Sequence, residues 1–208
     1  MDIYNKIFDW YRDSRSADAG VDVVRLFAQK LQPNATILDL GCGYGAPITT
    51  TLLELGFKPY GIDSSIKMVE EFKRVFPGIP VQHADVLNSD FFSRSFSAII
   101  GYGFIFHLPI EEQKIAIRKV ANHIEHGGYL LFNSGNEDNE GEMTSPEYNG
   151  GESFMQYSMS RFNYEKVLQE NGMTLISSNI EEGYGSTIYI AKKEMNASVQ
   201  NHNAGQLN

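Results

Sequence analysis

The sequence predicts an α/β fold in which helices cover both faces of a doubly wound, mostly parallel sheet. Two observations support this fold class. Short apolar segments suited to burial on both faces alternate with amphipathic helical segments along the first 133 of the 208 residues. Glycine-rich or acidic segments also follow several of the predicted strands, at the edge where open α/β sheets bind their ligands.

The chain begins with predicted helices. Apolar residues from Ile3 to Tyr11 recur at helical spacing, and a second helix is expected over about 17–31. A strand follows at Thr36–Leu40, and the next helix, over about 47–55, ends before a glycine.

The alternation of strands and helices continues through the middle of the chain. Ser64 or Ser65 is placed to cap a helix directly after the second strand. This alternation implies a doubly wound sheet with right-handed connections between its parallel strands. The further predicted elements are strands at 59–62, Val81–His83, Phe96–Gly101 and 129–133, and a helix over about 111–123.

The last part of the chain has a different character. Residues 134–158 are polar and rich in Gly and Asn, and they are expected to form a cap insertion without regular structure. A helix near 161–171 precedes two strands, 174–179 and 187–191, which are expected to pair antiparallel.

Composition and charge limit the range of functions. The sequence predicts one domain over 1–193 and a disordered tail over 194–208. A formal net charge of −9 argues against a nucleic-acid surface, which needs clustered Lys and Arg. Cys42, the only cysteine, excludes an intrachain disulfide and is expected to be a small buried residue. Because the sequence shows neither a membrane-length apolar segment nor a signal-peptide pattern, we expect a cytoplasmic monomer or homodimer without membrane partners.

The most informative segment, 36–47, reads as a buried strand that carries an acid near its end, then three alternating glycines, then a helix. Gly41, Gly43 and Gly45 permit a sharp turn and are expected to bring bare N–H groups against a ligand. Asp39 is placed to meet an ammonium or a hydroxyl group. A ligand with an ammonium, a carboxylate and a nucleoside fits this arrangement, and S-adenosylmethionine is such a ligand.

The same glycines also satisfy the looser dinucleotide pattern G-x-G-x-x-A, which ends at Ala46. The Asp39 carboxylate would repel a pyrophosphate on this turn, so S-adenosylmethionine is favoured over a nicotinamide cofactor. Asp63 lies about 20 residues beyond the turn, where an acceptor for ribose hydroxyls is expected. The alternative for Asp63 is an aspartate that only caps a helix.

Five segments occur in order along the chain: ILDLGCGYG, GIDSS, HADV, FSAIIGYGFIFHLP and GGYLLF. Together they resemble the class I S-adenosylmethionine-dependent methyltransferases, and most of all the small bacterial-type branch that acts on small molecules. The resemblance covers roughly residues 1–192. It implies a Rossmann-like, seven-stranded sheet with an antiparallel last strand, S-adenosylmethionine as the cofactor, S-adenosylhomocysteine as the product and a small-molecule acceptor.

The resemblance also implies which residues hold the cofactor. Asp63 would grip both ribose hydroxyls. Tyr4, Tyr11 and Arg15 are expected either to close over the cofactor from the N-terminal segment or merely to pack on the sheet. The other implied cofactor-binding residues are Asp39, Gly41, Cys42, Gly43 and Gly45 at the methionine part, Ser64, Asp85 and Val86 at the adenine, and Gly101 and Tyr102 after the fourth strand.

Methyl transfer from a sulfonium is an in-line displacement, and a base is needed only where the acceptor must lose a proton. His107 is the best candidate for this base, with a hydrogen-bonded structural histidine as the alternative. Tyr102 and Tyr157 are weaker candidates. No paired Cys or His has metal-ligand spacing, so we expect metal-free transfer to an O, N, S or C atom.

The acceptor pocket is expected to form from the N-terminal helix, the loop at 104–106 and the insertion at 134–158. Its wall is expected to be partly apolar and adaptable, suited to a flat aromatic or amphipathic acceptor. Two other functions stay open, namely a module that binds the cofactor without turnover and a NAD-dependent oxidoreductase. The predicted wall residues are Met143, Met155, Met159, Tyr148 and Tyr157.

Overall fold

The computed structural model describes the greater part of the chain. The expected tail beyond residue 195 and the predicted wall residue Tyr148 lie outside the described residues. None of the helices within the described part is long and apolar enough to cross a membrane. The described residues are 3–135, 140–144, 152–181, 183 and 185–195.

A seven-stranded sheet forms the centre of the molecule. Its strand order is β3-β2-β1-β4-β5-β9-β8; the first five strands in this order run parallel, and β9 runs antiparallel to both of its neighbours. This arrangement confirms the predicted doubly wound sheet with an antiparallel last strand. The strands are β1 (Thr36–Leu40), β2 (Lys58–Asp63), β3 (Val81–His83), β4 (Phe96–Gly101), β5 (Ile124–Ser134), β6 (Gly141–Thr144), β7 (Met155–Ser158), β8 (Met173–Glu181) and β9 (Ser186–Lys193).

Seven α-helices pack around the sheet within the described part of the chain. They are α1 (Ile3–Lys6), α2 (Phe8–Ser14), α3 (Val21–Ala28), α4 (Ile48–Glu54), α5 (Ile66–Val75), α6 (Ile110–His123) and α7 (Arg161–Glu170), with short 3-10 helices at Phe91–Ser93 and Ile105–His107.

The two N-terminal helices differ from their predictions. The first amphipathic segment forms two helices, α1 and α2, which meet at the buried Ile7. The second helix, expected over 17–31, begins only at Val21, because Gly20 adopts a left-handed conformation with φ of +76°. This glycine also lets the chain approach the Tyr102 ring, since a Cβ atom at position 20 would lie 2.8 Å from Cζ of Tyr102.

The insertion at 134–158 corrects a second expectation, because part of it forms regular structure. Its strands β6 and β7 pair antiparallel as a separate two-stranded sheet, with Glu142 opposite Tyr157 and Met143 opposite Gln156. The short strands are polar and mostly exposed, so they lack the buried alternation by which a strand is recognised in sequence. Residues of both strands line a cavity together with the end of β5, at the carboxyl edge of the parallel strands.

The core lies on both faces of the sheet. Ile37 belongs to one buried cluster together with side chains of α3 and α4. Its neighbour Leu38 belongs to the other cluster, together with side chains of α6 and α7. Successive residues of a strand point to opposite faces, so two apolar residues in a row require cover on both sides. The sheet is thereby fixed between two helical layers, and the carboxyl ends of β1, β2, β3, β4 and β5 share one edge.

A buried polar network ties β7 to the core. Tyr164 of α7 is fully buried, and its hydroxyl donates to Oε1 of Gln113 at 2.7 Å and lies 2.6 Å from Oγ of Ser134. The amide nitrogen of Gln113 donates in turn to the carbonyl of Tyr157 at 2.9 Å. Ser134 also lies 3.2 Å from Oγ of Ser158. Each polar group has a partner, as buried polar groups require.

Replacing Tyr164 with Phe tests this network. Because Gln113 and Ser134 would each lose a buried partner, we expect the free energy of unfolding to fall by about 1–3 kcal/mol. Urea denaturation followed by circular dichroism measures the change. Tyr129→Phe, which removes a hydroxyl for which the described part of the chain provides no partner, is the control and should stay within about 0.5 kcal/mol of wild type.

Candidate functional site

The N–H groups of the glycine turn after β1 form hydrogen bonds to the end of β2. Gly41 and Cys42 both donate their N–H groups to the carbonyl of Ile62, at 2.9 and 3.1 Å, and Gly43 donates to Oδ2 of Asp63 at 2.9 Å. The expectation of bare N–H groups facing a ligand is therefore wrong for Gly41 and Gly43, and also for Gly45, whose N–H donates to the carbonyl of Cys42 at 2.9 Å. The hydrogen bonds of Gly41, Cys42 and Gly43 instead fasten the turn to the end of β2, the neighbouring strand.

The three motif glycines have different surroundings, although all have positive φ values. A Cβ atom at Gly41 would lie 3.0 Å from the ring of Phe104, and one at Gly45 would lie 2.4 Å from the ring of Phe76. At Gly43 the nearest such atom is the sulfur of Met68, at 3.8 Å. Gly43 therefore leaves open space, whereas the other two glycines make room for phenylalanine rings.

Asp39 lies behind this turn and does not line a pocket. Its side chain is buried and accepts a hydrogen bond from Oγ1 of Thr49 at 2.9 Å. Burial raises the pKa of Asp39 to about 7, because the charged form loses its hydration; the bond from Thr49 and the charge of Arg15 act in the opposite direction. A cationic group nearby would favour the ionised form.

Asp63 stands at the end of β2 and is doubly anchored. In addition to the bond from Gly43, it accepts the N–H of Ser65 on Oδ1 at 2.8 Å. The hydroxyl of Ser65 accepts the N–H of Met68 and so caps α5, as predicted. Burial raises the pKa of Asp63, against the effect of the two backbone bonds. Asp63 thus helps to fix the start of α5. Each of its carboxylate oxygens still has a lone pair that can accept a further hydrogen bond.

A small pocket gathers most of the residues predicted to bind the cofactor, together with the candidate base His107. Its volume is about 60 Å³, room for a few water molecules, so a nucleoside enters it only if the surrounding side chains move apart. The predicted residues on its wall are Tyr4, Tyr11, Gly41, Gly43, Asp63, Ser64, Asp85, Val86 and His107, and they are joined by Leu40, Ile62, Met68, Ala84, Gly103, Phe104 and Leu108.

The remaining predicted cofactor residues lie elsewhere. Cys42 is buried with its sulfur against Gly61, where a Cβ atom would lie 2.7 Å away, and burial raises the pKa of its thiol. Gly101 faces the Phe104 ring. Neither residue, nor Asp39 or Gly45, lines either of the two pockets at this edge of the sheet.

A large cavity of about 1020 Å³ adjoins the small pocket. Its aromatic lining residues, here called the aromatic wall, come from α1, α2, the loop after β4 and the segment around β7. Its small polar lining residues, here called the polar wall, come from the ends of β5, β7 and β9. The aromatic wall consists of Tyr4, Trp10, Tyr11, Phe106, Phe154 and Tyr157, and the polar wall of Asn133, Ser134, Gly135, Ser158, Gly185 and Ser186.

The predicted wall residues divide between this cavity and the core. Met143 and Tyr157 line the cavity. Met155 does not line it, and Met159 is buried in the core. Arg15 lines the cavity with its guanidinium over the Tyr11 ring, 5.1 Å from the centroid, and Nη1 donates to the Tyr11 hydroxyl.

Four residues line both spaces: Tyr4, Tyr11, Gly103 and His107. The Tyr4 hydroxyl lies 2.9 Å from Nε2 of His107, across 103 residues of sequence. Burial lowers the pKa of His107 to about 4, with the Gly103 backbone acting in the opposite direction, so the ring is neutral near pH 7. Nδ1 of His107 is buried and makes no hydrogen bond to the described part of the chain.

The hydroxyl of Tyr102, a weaker candidate for the base, is hydrogen-bonded to a carboxylate. Its hydroxyl donates to Oε1 of Glu181 at 2.7 Å, and Ser186 donates to the other oxygen of that carboxylate at 2.7 Å. Asn133 accepts the N–H of Gly103 at 2.6 Å. The sequence analysis missed Asn133, Glu181 and Ser186. Asn133 follows an apolar strand at the ligand-binding edge, which is the one signal that could have indicated it.

The strand order and the position of this edge give the chain the Rossmann-like α/β fold of the class I methyltransferases. Residues 37–128 match the sequence model of the family described as "Methyltransferase domain". The resemblance that the sequence motifs indicate is therefore confirmed over this part of the chain.

Known proteins with related sequences or folds agree with this. A carboxy-S-adenosyl-L-methionine synthase of Campylobacter fetus is 30% identical in an alignment 132 residues long, and the alignment covers 57% of this chain and 54% of that protein. The chain spans about half the length of the curated relatives that it matches.

Among solved structures, an S-adenosylmethionine-dependent methyltransferase from Clostridium acetobutylicum has a TM-score of 0.71 at 16% identity, covering 92% of this chain and 99% of that chain. A magnesium protoporphyrin IX methyltransferase from Synechocystis, solved with bound S-adenosylmethionine, has a TM-score of 0.64 at 18% identity, covering 86% of this chain and 78% of that chain. At these identities the two structures establish the fold.

The glycine turn yields a stability prediction. Gly45 has φ of +93° and no space for a Cβ atom, whereas Gly56 has φ of +79° and no atom within 4 Å of that position. We expect Gly56→Ala to cost about 1–2 kcal/mol from backbone strain alone. Gly45→Ala should cost about 1–3 kcal/mol more, because Phe76 and Phe72 must move. Urea unfolding of both variants measures the difference, and equal costs would show that the phenylalanine packing is loose.

Proposed function

We propose that this protein transfers the methyl group of S-adenosylmethionine to a small molecule. The observation that carries the proposal is the shared boundary of the two spaces, Tyr4, Tyr11, Gly103 and His107. A nucleoside in the small pocket and an acceptor in the large cavity would meet at this boundary. Such an arrangement supplies alignment and excludes water, which is what transfer from an activated methyl donor needs.

The small pocket has the groups that a nucleoside requires. Asp63 keeps one lone pair on each carboxylate oxygen, enough for two vicinal ribose hydroxyls. Ser64, Asp85 and the backbone of Val86 lie on the same wall, where they can bind adenine. The open side of Gly43 provides the close approach that a bulky ligand needs.

The charged groups beyond Gly43 suit an amino-acid tail. We propose that the ammonium group of the cofactor lies on the side of the turn nearest Asp39, because a cation would stabilise the ionised form of this residue. We assign the carboxylate of the cofactor to Arg15. Arg15 has no carboxylate within ion-pair distance among the described residues, and a guanidinium binds a carboxylate with two parallel hydrogen bonds. A dinucleotide fits less well, because Asp39 and Asp63 both lie beside the turn that a pyrophosphate would occupy.

The sulfonium supplies an activated methyl group, so the side chains have to position the acceptor and remove its proton where it has one. His107 is the residue that we assign to this proton. It is neutral and borders both spaces, and its Nδ1 can accept a proton while Nε2 donates to Tyr4. Protonation of His107 would coincide with the loss of the sulfonium charge, so the net charge of the buried region would not change. A pKa of about 4 makes the imidazole a weak base, and the constant net charge offsets part of this disadvantage.

The cavity also favours turnover over a module that only binds the cofactor. A regulatory module needs the small pocket alone, and it does not need a cavity of about 1020 Å³ against the same boundary residues. The acceptor is proposed to be a small molecule, because the cavity is a concave space of about 1020 Å³ and the net charge of −9 does not suit nucleic acid.

Calorimetric titration with S-adenosylhomocysteine, methylthioadenosine and NAD tests the proposal. Methylthioadenosine has the same nucleoside without the amino-acid tail. We expect Arg15→Gln to weaken binding of S-adenosylhomocysteine by about tenfold or more, since it removes a charged hydrogen bond, and to leave methylthioadenosine binding unchanged. Asp63→Asn should weaken both ligands by similar factors.

Arg12 provides the matched control for Arg15. It lies on the same helical segment but pairs with Asp9 and Asp13 at the surface, so Arg12→Gln should not change either affinity. Binding of NAD in preference to S-adenosylhomocysteine would refute the proposal. An unchanged affinity in Arg15→Gln would refute only the assignment of the carboxylate.

The raised pKa of Asp39 predicts a pH dependence of cofactor binding. Free Asp39 is protonated below about pH 7, and an ammonium group beside it favours the ionised form, so binding releases a proton. Affinity for S-adenosylhomocysteine should therefore rise between pH 6 and pH 8, by up to about tenfold. Asp39→Asn should remove this dependence of affinity on pH. Asp63, whose pKa is also raised, is still present in that variant, so a loss of the dependence is assigned to Asp39. Calorimetry in buffers of different ionisation enthalpy counts the released protons, and an unchanged slope in Asp39→Asn would contradict the assignment.

A further inference from the structure

The two walls of the large cavity differ in shape and chemistry, and this difference indicates the class of acceptor. The inference depends on the proposed function. Rings of the aromatic wall meet edge to face around His107: the centroid of Phe154 lies 4.7 Å from that of His107, and the centroid of Tyr4 lies 5.5 Å away. Such a cluster favours a flat π-system over a saturated group of similar size.

The polar wall consists of short side chains whose polar groups already have partners. Ser158 bonds to Ser134, Ser186 donates to Glu181, and Asn133 bonds to Gly103 and Ser186. Gly135 and Gly185 add no side chain to this wall. The aromatic rings and His107 therefore offer an acceptor its main contacts.

His107 supplies the polar anchor at the end of the cavity nearest the small pocket. Its buried Nδ1 makes no hydrogen bond to the described part of the chain, and a buried polar atom without a partner is costly. When Nε2 donates to Tyr4, Nδ1 accepts, so its complement is an O–H or N–H group. A neutral amine can be methylated before it loses a proton, whereas a hydroxyl gains most from a base in place.

The charges of the cavity argue against a strongly anionic acceptor. Arg15 is the only Lys or Arg among the described lining residues, and it already contacts the Tyr11 hydroxyl. Glu140 and Glu142 line the opposite end. Glu140 accepts hydrogen bonds from Ser160 and Asn163 at the start of α7, which leaves it ionised. A carboxylated or phosphorylated molecule would be repelled there.

We propose that the acceptor is a planar, uncharged aromatic compound that carries a hydroxyl group, and that this hydroxyl binds Nδ1 of His107. In the reaction the O–H bond and the bond from sulfur to methyl break, and the bond from oxygen to methyl forms. The proton passes to Nδ1, and the electron pair of the broken sulfur–carbon bond stays on sulfur. The charge thus moves from sulfur to the imidazole, which returns its proton to water when the cavity opens.

Three probes of similar size test the class of acceptor on protein saturated with S-adenosylhomocysteine. They are 2-naphthol, its saturated counterpart decahydro-2-naphthol, and 2-naphthoate, which is flat but anionic. We expect 2-naphthol to bind at least about tenfold more tightly than either, as stacking and charge require. Only 2-naphthol should be methylated by S-adenosylmethionine, to 2-methoxynaphthalene.

Equal or tighter binding of decahydro-2-naphthol or of 2-naphthoate would overturn the inference. So would the absence of 2-naphthol binding to protein that does bind S-adenosylhomocysteine, a result that leaves the proposed function intact. A protein that does not bind S-adenosylhomocysteine fails at the earlier step, so the two failures are distinguishable.

An aromatic thiol, used as an alternative acceptor, distinguishes proton removal by His107 from a purely structural role of this residue. The aromatic thiol of 2-naphthalenethiol is already ionised at pH 8 and needs no base. We expect His107→Gln to lower kcat with 2-naphthol by about 100-fold or more, and kcat with the thiol by less than about threefold. An equal loss with both acceptors would show that His107 only maintains the cavity, and an unchanged rate with 2-naphthol would exclude it from the reaction.

Discussion

The hydrogen bond from the Gly43 N–H to the Asp63 carboxylate is the contact on which the rest of the site depends. It joins the turn after β1 to the end of β2, and the bond from Ser65 to the same carboxylate fixes the start of α5. A carboxylate held by two backbone donors cannot turn away, so its free lone pairs have fixed directions. The same group therefore shapes the turn, orients the helix and presents acceptors to a ligand.

Burial governs the charges around this contact. Asp39 and Asp63 have raised pKa values and His107 a lowered one, and in each case loss of hydration is the largest cause. All three groups are thus shifted toward their neutral forms in the protein alone. A ligand that brings positive charge reverses this preference at the two acids. Such a ligand would lower the cost of keeping the two carboxylates charged while they are buried.

Local sequence predicted the elements that depend on short-range patterns. The bounds of β1 and β4 agree with their apolar runs, β3 has its predicted bounds, and Asp63 and Asp85 lie on a pocket as the motif spacing indicates. Contacts between distant segments could not be read in this way. The Tyr4–His107 pair spans 103 residues, and the internal use of the turn's N–H groups depends on where the end of β2 lies. Pairing of β6 with β7 escaped notice because polar, exposed strands lack a hydrophobic period.

The two spaces are lined by different segments of the chain. The parallel strands and the loops after them provide most of the small pocket, and the ends of β5, β7 and β9 provide the polar wall. The aromatic wall comes mainly from α1, α2 and the segment before β7, which lie outside the matched family region of 37–128. The residues proposed to bind the nucleoside and those proposed to contact the acceptor can therefore change independently. Among the described residues, only Tyr4, Tyr11, Gly103 and His107 belong to both spaces. These four residues must suit the donor and the acceptor at once, so exchanging them should alter both affinities, whereas exchanges elsewhere in the aromatic wall should alter acceptor choice alone.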